Sequence, residues 1–225
     1  MKVYKKNIRL AAIFTLVSSC ASLDTNNIAP SYVAAYSSIK GVIFGYEDIN
    51  ITRDLVSSIP FASAKIKIGK GPSGLLILES IKDNLATWVS ADKVIFLIND
   101  GRIIRTQGLI NNLTSYQSVD QSFKDLLYNP NPLLNYYSYY SYDEPLLYNL
   151  KVEVSLSVKE SEDIEILGEV RSLILVEELV TSKKINWTKK NKYWIDPDTF
   201  FVWKSIQYIS PKLPRFDFEV TKKPA

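Results

Sequence analysis

Histidine is absent from the 225 residues of this chain. Its absence excludes Ser-His-Asp and Cys-His catalytic sites, and it excludes every metal site that depends on an imidazole ligand. An enzyme made from this sequence would have to rely on carboxylates, lysine, tyrosine or serine. We therefore expect little near-neutral acid–base chemistry, and we predict no cofactor and no metal site.

Cysteine occurs once, at position 20, so a disulfide within the chain is excluded. Ahead of it lie a cationic segment, residues 1–9, and an apolar stretch, residues 10–17. The apolar stretch is too short to span a bilayer, for which about 20 apolar residues are needed, but it is typical of a secretory signal. The segment Leu16–Cys20 is similar to the lipobox of bacterial lipoproteins, with small side chains just before the thiol.

We predict that residues 1–19 are a lipoprotein signal peptide and that Cys20 carries the lipid; an ordinary signal peptide with an incidental cysteine is the alternative. Acyl chains contribute about 0.8 kcal/mol per buried methylene, so two or three chains hold a protein on the membrane. In lipoproteins of bacteria with two membranes, aspartate after the cysteine tends to cause retention at the inner membrane. Ala21 by that resemblance predicts the outer membrane, with the protein facing the periplasm.

Excess positive charge belongs to the predicted signal peptide. The whole chain has 27 Lys+Arg and 24 Asp+Glu. Removing residues 1–19 takes away four cations and no anion, which leaves 23 against 24 and a net charge of −1. A chain with this balance has no basic excess for nucleic acid, and we predict no such partner.

Turn residues and period-two alternation organise the mature chain. Residues 20–29 are small and polar, which predicts a lipidated tether, and residues 30–225 predict one β-rich periplasmic domain. Strands are expected at 64–68, 75–81, 85–90, 94–98, 102–107, 147–158, 164–180 and 192–208, the last range as a hairpin. Helices are expected at 30–40 and 114–127, and Pro211 and Pro214 indicate a C-terminal tail. The predicted fold is mainly β: a single antiparallel β-barrel-like or strongly curved sheet with two short helices, behind the signal peptide.

Several segments together are similar to one family of lipoproteins. They are Ile59–Ala64, Trp88–Asp92, Asn99–Leu109, Asn191–Asp198 and Val202–Ser205. In this order they resemble the YjbF/GfcB family, whose genes lie with exopolysaccharide and group 4 capsule export genes. The resemblance runs from about Pro60 to Pro214 with a gap around a tyrosine-rich run, and it departs from the family at Phe200-Phe201, where glycine tends to follow the threonine. It implies a β-barrel-like domain on a lipid anchor and a role in surface-polysaccharide production. It supplies no activity, and no catalytic residue can be carried over from it.

Tyrosine is concentrated between positions 136 and 142. Tyrosine combines a large contact area with a polar tip at low entropic cost, so a loop here would suit a glycan or a protein partner. The candidate contact residues are Tyr136, Tyr137, Tyr139, Tyr140, Tyr142 and, among the tryptophans, Trp88. For the tyrosines the alternatives are an insertion that lies against the barrel or a partly disordered segment. For the tryptophans the alternative is packing in the core or across strands.

Two pairs of carboxylates could in principle indicate a glycosidase, because that class of enzyme uses two acidic side chains. Glu177 and Glu178 are neighbours in a predicted strand, so they should point to opposite faces. Asp196 and Asp198 flank a proline in a predicted turn, where aspartate commonly bonds the local backbone. Neither pair predicts catalysis, and we predict that the protein is not an enzyme.

The favoured hypothesis is an accessory lipoprotein of exopolysaccharide or capsule production or export that binds a glycan or a protein of the export machinery. The alternative is a carrier or assembly factor whose apolar barrel interior holds lipid or an outer-membrane protein. A large apolar cavity would favour the carrier, whereas an open groove lined by Trp and Tyr would favour glycan binding. Two carboxylates about 5–10 Å apart in a cleft would instead indicate an enzyme acting on polysaccharide.

Overall fold

The computed structural model describes residues 50–119, 122–129 and 131–224. The predicted signal peptide, Cys20, the tether and the helix at 30–40 lie outside the described residues. The elements in chain order are α1 (Arg53–Ser58), β1 (Ser63–Ile68), β2 (Ser73–Lys82), β3 (Leu85–Ser90), β4 (Ile95–Asn99), β5 (Arg102–Gln107), β6 (Leu113–Gln117), α2 (Phe123–Tyr128), β7 (Asn135–Tyr142), β8 (Leu147–Ile166), β9 (Glu169–Ser182), the 3₁₀ turn Lys183–Ile185, β10 (Trp187–Ile195), β11 (Val202–Gln207) and β12 (Phe216–Lys222). Neither described helix has the length and hydropathy that a membrane-spanning helix requires.

All twelve strands form one antiparallel sheet in the order β5-β4-β3-β2-β1-β12-β11-β10-β9-β8-β7-β6. Consecutive strands are paired except for β5 and β6, which are the two edges of the sheet, and β12 also pairs with β1, which joins the two ends of the domain. The edge strands β5 and β6 meet through side chains. Arg105 Nε donates to Thr114 O at 3.0 Å, and Leu113 N donates to Thr106 Oγ1 at 3.0 Å. The predicted fold class is confirmed: the sheet is a nearly closed barrel with two short helices.

Alternation along the strands fills the barrel with apolar side chains. On β8, for example, Leu150, Val152 and Val154 are buried, whereas Lys151 is exposed and Glu153 is half-buried. Each square ångström of apolar surface removed from water contributes about 25 cal/mol, so the register of each strand is set by its apolar face.

The β8–β9 hairpin is longer than predicted, because β8 continues through positions 159–163 instead of ending at Val158. A bulge between Val158 and Ser161 lets the hairpin bend. Its distal part covers two tryptophans: Glu162 Oε2 accepts a hydrogen bond from Trp194 Nε1 at 2.6 Å, and the Arg171 guanidinium lies 3.8 Å from the centre of a Trp203 ring.

The predicted helix over 114–127 is wrong in its first half. Residues 113–117 are strand β6, which pairs with β7, and the helix begins only at Phe123. A capping box marks this start, because the Ser122 hydroxyl accepts from Asp125 N at 3.1 Å and the Asp125 carboxylate accepts from Ser122 N at 3.2 Å. The helical spacing of apolar residues concealed a strand-to-helix boundary.

The predicted C-terminal tail is also wrong, because β12 lies between β1 and β11. Phe216, Phe218 and Val220 are buried at alternate positions of this strand. This alternation has the period of a strand. The tail was predicted because Pro211 and Pro214 precede the segment.

The β4–β5 turn leaves no room for a side chain at Gly101. This residue has φ +75°, and a Cβ there would lie 2.5 Å from Val202 Cγ2. Gly168, in the β8–β9 turn, has φ +78° with no atom within 4 Å of the same position.

We expect Gly168→Ala to lower the free energy of unfolding by about 1–2 kcal/mol through backbone strain alone. Gly101→Ala should lose about 1–3 kcal/mol more from overpacking, as measured by chemical denaturation. Equal losses for the two variants would contradict the steric explanation.

Candidate functional site

One end of the barrel carries an open cleft of about 950 Å³. Alternate turns of an antiparallel sheet lie at the same end, and the β2–β3, β4–β5 and β10–β11 turns contribute here together with the ends of β6 and β12. We call this space the mouth cleft. Its aromatic lining consists of Trp88, Tyr116, Tyr136, Phe200, Phe201 and Phe218.

Exposed polar side chains surround the aromatic lining of the mouth cleft. They are Asp83, Asn84, Asn99, Asp198 and Thr199, all from turns or strand ends. Carboxylates accept hydrogen bonds, and amides both donate and accept them. Aromatic faces with a few convergent polar groups are the usual composition of a small-molecule or oligomer site, and 950 Å³ falls in the usual size range, about 300–1,000 Å³.

Helix α2 is fixed across one side of the mouth. Phe123 is fully buried, and its N–H donates to Asp100 Oδ2 at 2.6 Å. The Phe123 ring centre lies 4.0 Å from the Arg102 guanidinium carbon and 4.9 Å from the Tyr193 ring centre. At the other end of the helix, Tyr128 packs edge-on against Phe200 with ring centres 5.1 Å apart. The helix is thus held to the barrel at both of its ends.

A buried ion pair lies beneath the mouth cleft. Arg102 Nε donates to Glu178 Oε1 at 3.1 Å, and the other carboxylate oxygen accepts from Asn191 Nδ2 at 2.9 Å and Tyr193 OH at 3.0 Å. Gln207 bridges to the β4–β5 turn, donating to Gly101 O at 2.8 Å and accepting from the backbone N–H at position 103 at 3.0 Å. Four strands, β5, β9, β10 and β11, are therefore tied together across the interior.

Burial and neighbouring charges shift the pKa values of the groups in and beside this network. Burial has the largest single effect and would lower the pKa of Arg102, but the Glu178 carboxylate together with the neighbouring tyrosines, Tyr193 first among them, raises that pKa well above its ordinary value. Burial and the same carboxylate raise the pKa of Tyr193, so its hydroxyl stays protonated as a donor. Burial also raises the pKa of Asp100, although the N–H of Phe123 partly offsets it.

The interior beneath the cleft has little free space. A pocket lined by Arg102, Glu178 and their neighbours measures about 10 Å³, enough for at most one water molecule. The surrounding space holds buried side chains, including Leu113, Tyr140 and Ile209. Beneath the mouth cleft, the described part of the barrel therefore contains a buried ion pair and has no room for an acyl chain.

The tyrosine-rich run is strand β7 and is not the loop or insertion considered from the sequence. Pairing with β6 and β8 orders it, and alternation divides its tyrosines between two faces. Tyr137 and Tyr139 point outward with 50% and 39% exposure. Tyr140 and Tyr142 are buried, and Tyr142 OH donates to the carbonyl at position 209 at 2.9 Å.

Two of the candidate contact residues come together in the mouth cleft. Tyr136 is half-buried and Trp88 is 3% exposed, and both line the cleft. Trp88 packs edge-on against Phe218, with ring centres 5.7 Å apart. The other three tryptophans are also buried.

The carboxylate pairs are placed as predicted. Glu178 points inward, whereas Glu177 points outward, 3.1 Å from Lys190 Nζ. Asp196 Oδ1 accepts from the N–H of Asp198 at 3.1 Å, which makes it a turn residue. Within the described ranges, no group of three acidic side chains is placed to hold a metal ion.

Sequence reasoning missed the Arg102–Glu178 pair. A local signal existed for one partner, because Glu178 shares the inward face of β9 with Val176 and Val180. No comparable signal identified Arg102, whose partner is 76 positions away.

Comparison with known proteins identifies the family. The family model described as "Group 4 capsule polysaccharide lipoprotein gfcB, YjbF" matches residues 36–220, which is most of the chain and includes the tyrosine-rich strand. The uncharacterized lipoprotein GfcB of Escherichia coli (strain K12) is 22% identical over 98 residues, covering 44% of this chain and 46% of GfcB. The uncharacterized lipoprotein YjbF of the same strain is 27% identical over 64 residues, covering 28% of this chain and 30% of YjbF. These matches span less than half the length of either relative.

A solved structure shares the fold. The crystal structure of the hypothetical lipoprotein YmcC from Escherichia coli (K12) superposes with a TM-score of 0.69 at 18% identity, covering 84% of this chain and 95% of YmcC. The nearly closed twelve-strand barrel is thus a YmcC-like fold. On the match over residues 36–220, this chain belongs to the YjbF family of group 4 capsule polysaccharide lipoproteins.

Proposed function

We propose that this protein is a non-enzymatic, lipid-anchored accessory protein of capsule or exopolysaccharide production and that its mouth cleft binds a glycan segment. One observation carries the proposal: a solvent-open cleft of about 950 Å³ combines half-buried aromatic rings with exposed amide and carboxylate groups. The half-buried rings are those of Tyr116, Tyr136, Phe200 and Phe201. Aromatic rings offer flat apolar faces to the C–H faces of sugar rings. The amide and carboxylate groups are suited to sugar hydroxyls.

Charge favours a neutral glycan segment over a strongly anionic one. The deepest cation of the cleft, Arg102, is already paired with Glu178 at 3.1 Å. On the rim, Asp83 and Asp198 offset Lys124 and Lys223. A ligand would therefore be selected by shape and hydroxyl pattern rather than by net charge.

The filled interior ranks the carrier hypothesis below glycan binding. A carrier needs apolar space, whereas the level beneath the cleft holds the Arg102–Glu178 pair and a pocket of about 10 Å³. The lipid anchor at Cys20 and the outer-membrane position facing the periplasm remain part of the proposal. The family description as lipoproteins supports the anchor.

Binding of short oligosaccharides tests the mouth cleft. The probe is the capsular polysaccharide of the producing strain, partially hydrolysed and titrated calorimetrically against the detergent-solubilised protein. The double variant Asn99→Ala/Asp198→Ala should bind about tenfold more weakly, because two rim hydrogen-bonding groups are lost at about 0.5–1.5 kcal/mol each. Asp163→Ala, which removes an exposed carboxylate of β8 outside the cleft, is the matched control. Absence of binding to the wild type, or an equal effect of the control, would contradict the proposal.

A further inference from the structure

The outer wall of the barrel carries a second groove, of about 410 Å³, on strands β7, β8 and β9. Register places its outward residues in two rows across the sheet: Tyr137 beside Glu153 and Thr181, and Asn135 beside Ser155 and Leu179. We call this groove, with Tyr139 beyond it on the same face of β7, the tyrosine wall. Its volume lies within the range of ligand sites.

Two exposed rings follow one another along the tyrosine wall. Tyr137 and Tyr139 lie two positions apart on the outward face of β7, which separates them by about 7 Å along the strand. Lys151 Nζ lies 3.5 Å from the centre of the Tyr137 ring and orients that ring. An extended chain lying along the strand would meet both rings in succession.

The charged residues of the tyrosine wall are already engaged. Glu153 pairs with Lys183 at 3.0 Å, and Lys151 is held against Tyr137. What is left for a ligand is hydroxyl, amide and aromatic surface, a composition that suits adaptable, largely uncharged recognition.

The outer surface of β9 next to the tyrosine wall, around Glu177, is dominated by ion pairs. Glu177 lies 3.7, 3.1 and 3.9 Å from the ammonium groups of Lys159, Lys190 and Lys192, and these contacts lower its pKa despite partial burial. The ion pairs of this part of the barrel are therefore gathered around Glu177, whereas the tyrosine wall presents an uncharged, hydroxyl-rich surface.

The tyrosine wall begins where the mouth cleft ends. Tyr136, the second residue of β7, lines both spaces, and its neighbour Tyr137 points outward. The mouth cleft and the tyrosine wall therefore adjoin at Tyr136.

From these contacts we infer that the tyrosine wall is a second binding site for a neutral segment of the same polysaccharide, so that one long chain occupies the mouth cleft and the wall together. The inference rests on the proposed function, since it takes the glycan as the ligand. Two linked contacts on one polymer raise the overall affinity above that of either contact alone. Long chains should accordingly bind more tightly than short oligosaccharides.

The test compares long-chain capsular polysaccharide with its short oligosaccharides on the detergent-solubilised full-length protein. Tyr137→Ala/Tyr139→Ala should weaken binding of the long chain about tenfold, through loss of two stacking contacts. It should leave binding of short oligosaccharides unchanged. Tyr137→Phe/Tyr139→Phe keeps the rings and should retain most of the affinity. Tyr148→Ala removes a ring that is 67% exposed on β8 outside the groove, and it should have no effect.

The outcomes separate this inference from the proposed function. If short oligosaccharides bind and the alanine double variant holds the long chain as tightly as the wild type, the wall is rejected and the cleft stands. A long chain that binds only through the two tyrosines, with no binding of short oligosaccharides, rejects the cleft and keeps the wall. If neither glycan binds, both are rejected. An equal loss for Tyr148→Ala rejects the wall as a specific site.

Discussion

Replacing Arg102 by methionine is expected to lower the free energy of unfolding by about 3–5 kcal/mol. The guanidinium is the partner of a buried carboxylate, at 3.1 Å from Glu178 Oε1, and its face packs on the Phe123 ring. Methionine has a similar length but no charge, so Glu178 would keep its negative charge in the interior without a cation. The cost of that unpaired charge dominates the expected loss.

A second variant separates charge from packing. Arg102→Met/Glu178→Gln removes both charges while the Gln amide oxygen can still accept from Tyr193 OH, and we expect it to recover most of the lost stability. Arg105→Met is the matched control, because Arg105 is exposed and its Nε bonds one carbonyl across the β5–β6 seam. Its loss should be about 1 kcal/mol or less.

Denaturation by guanidinium chloride, followed by tryptophan fluorescence, measures these differences, since all four tryptophans are buried. Equal losses for the Arg102 and Arg105 variants would show that the buried pair is not special. A double variant as unstable as the single one would show that the lost packing on Phe123, and not the unpaired charge, sets the cost.

Changing Cys20 to serine is expected to move the protein entirely from the membrane fraction to the soluble fraction. The thiol is the nucleophile that receives the lipid in the lipobox interpretation, and a serine hydroxyl does not replace it. Each buried methylene contributes about 0.8 kcal/mol, so loss of two or three acyl chains removes the whole anchoring energy. Ser18→Ala keeps a small side chain before the cysteine and should stay on the membrane. Retention of Cys20→Ser in washed membranes would refute the anchor.

The same variant connects the anchor to the proposed function. A strain without this gene should produce less surface polysaccharide, and the wild-type protein should restore it. A soluble, secreted form without the cysteine should fail to restore it if the protein acts at the membrane. Unchanged polymer in the strain without the gene would reject the role in polysaccharide production.

Local signals in the sequence were enough to predict many of the strands and turns of the sheet. The predicted strands 85–90 and 102–107 coincide with β3 and β5. The Asn99-Asp100-Gly101 turn joins β4 to β5, with positive φ at Asp100 and Gly101. Period-two alternation and turn chemistry act over a few residues, so they can be recognised without knowledge of the rest of the chain.

The family could also be recognised from short segments in order, and the opposite faces of Glu177 and Glu178 followed from their adjacency. The sequence by itself therefore determined the strand-rich architecture, the family and the absence of histidine chemistry. Each of these depends on residue identity or on short-range periodicity.

Tertiary structure decided what meets across the barrel. Alternation divides the tyrosines of β7 into two sets, but only pairing with β6 and β8 decides that Tyr137 and Tyr139 face outward while Tyr140 faces the interior. Closure by β12 between β1 and β11 brings together strands far apart in the chain.

The mouth cleft and the Arg102–Glu178 pair arise in the same way, since their members come from different turns and strands. No periodicity within the chain encodes such contacts, because they depend on the register and closure of the whole sheet. The chemistry available to this protein was thus set by its sequence, whereas the place where that chemistry converges was set by its fold.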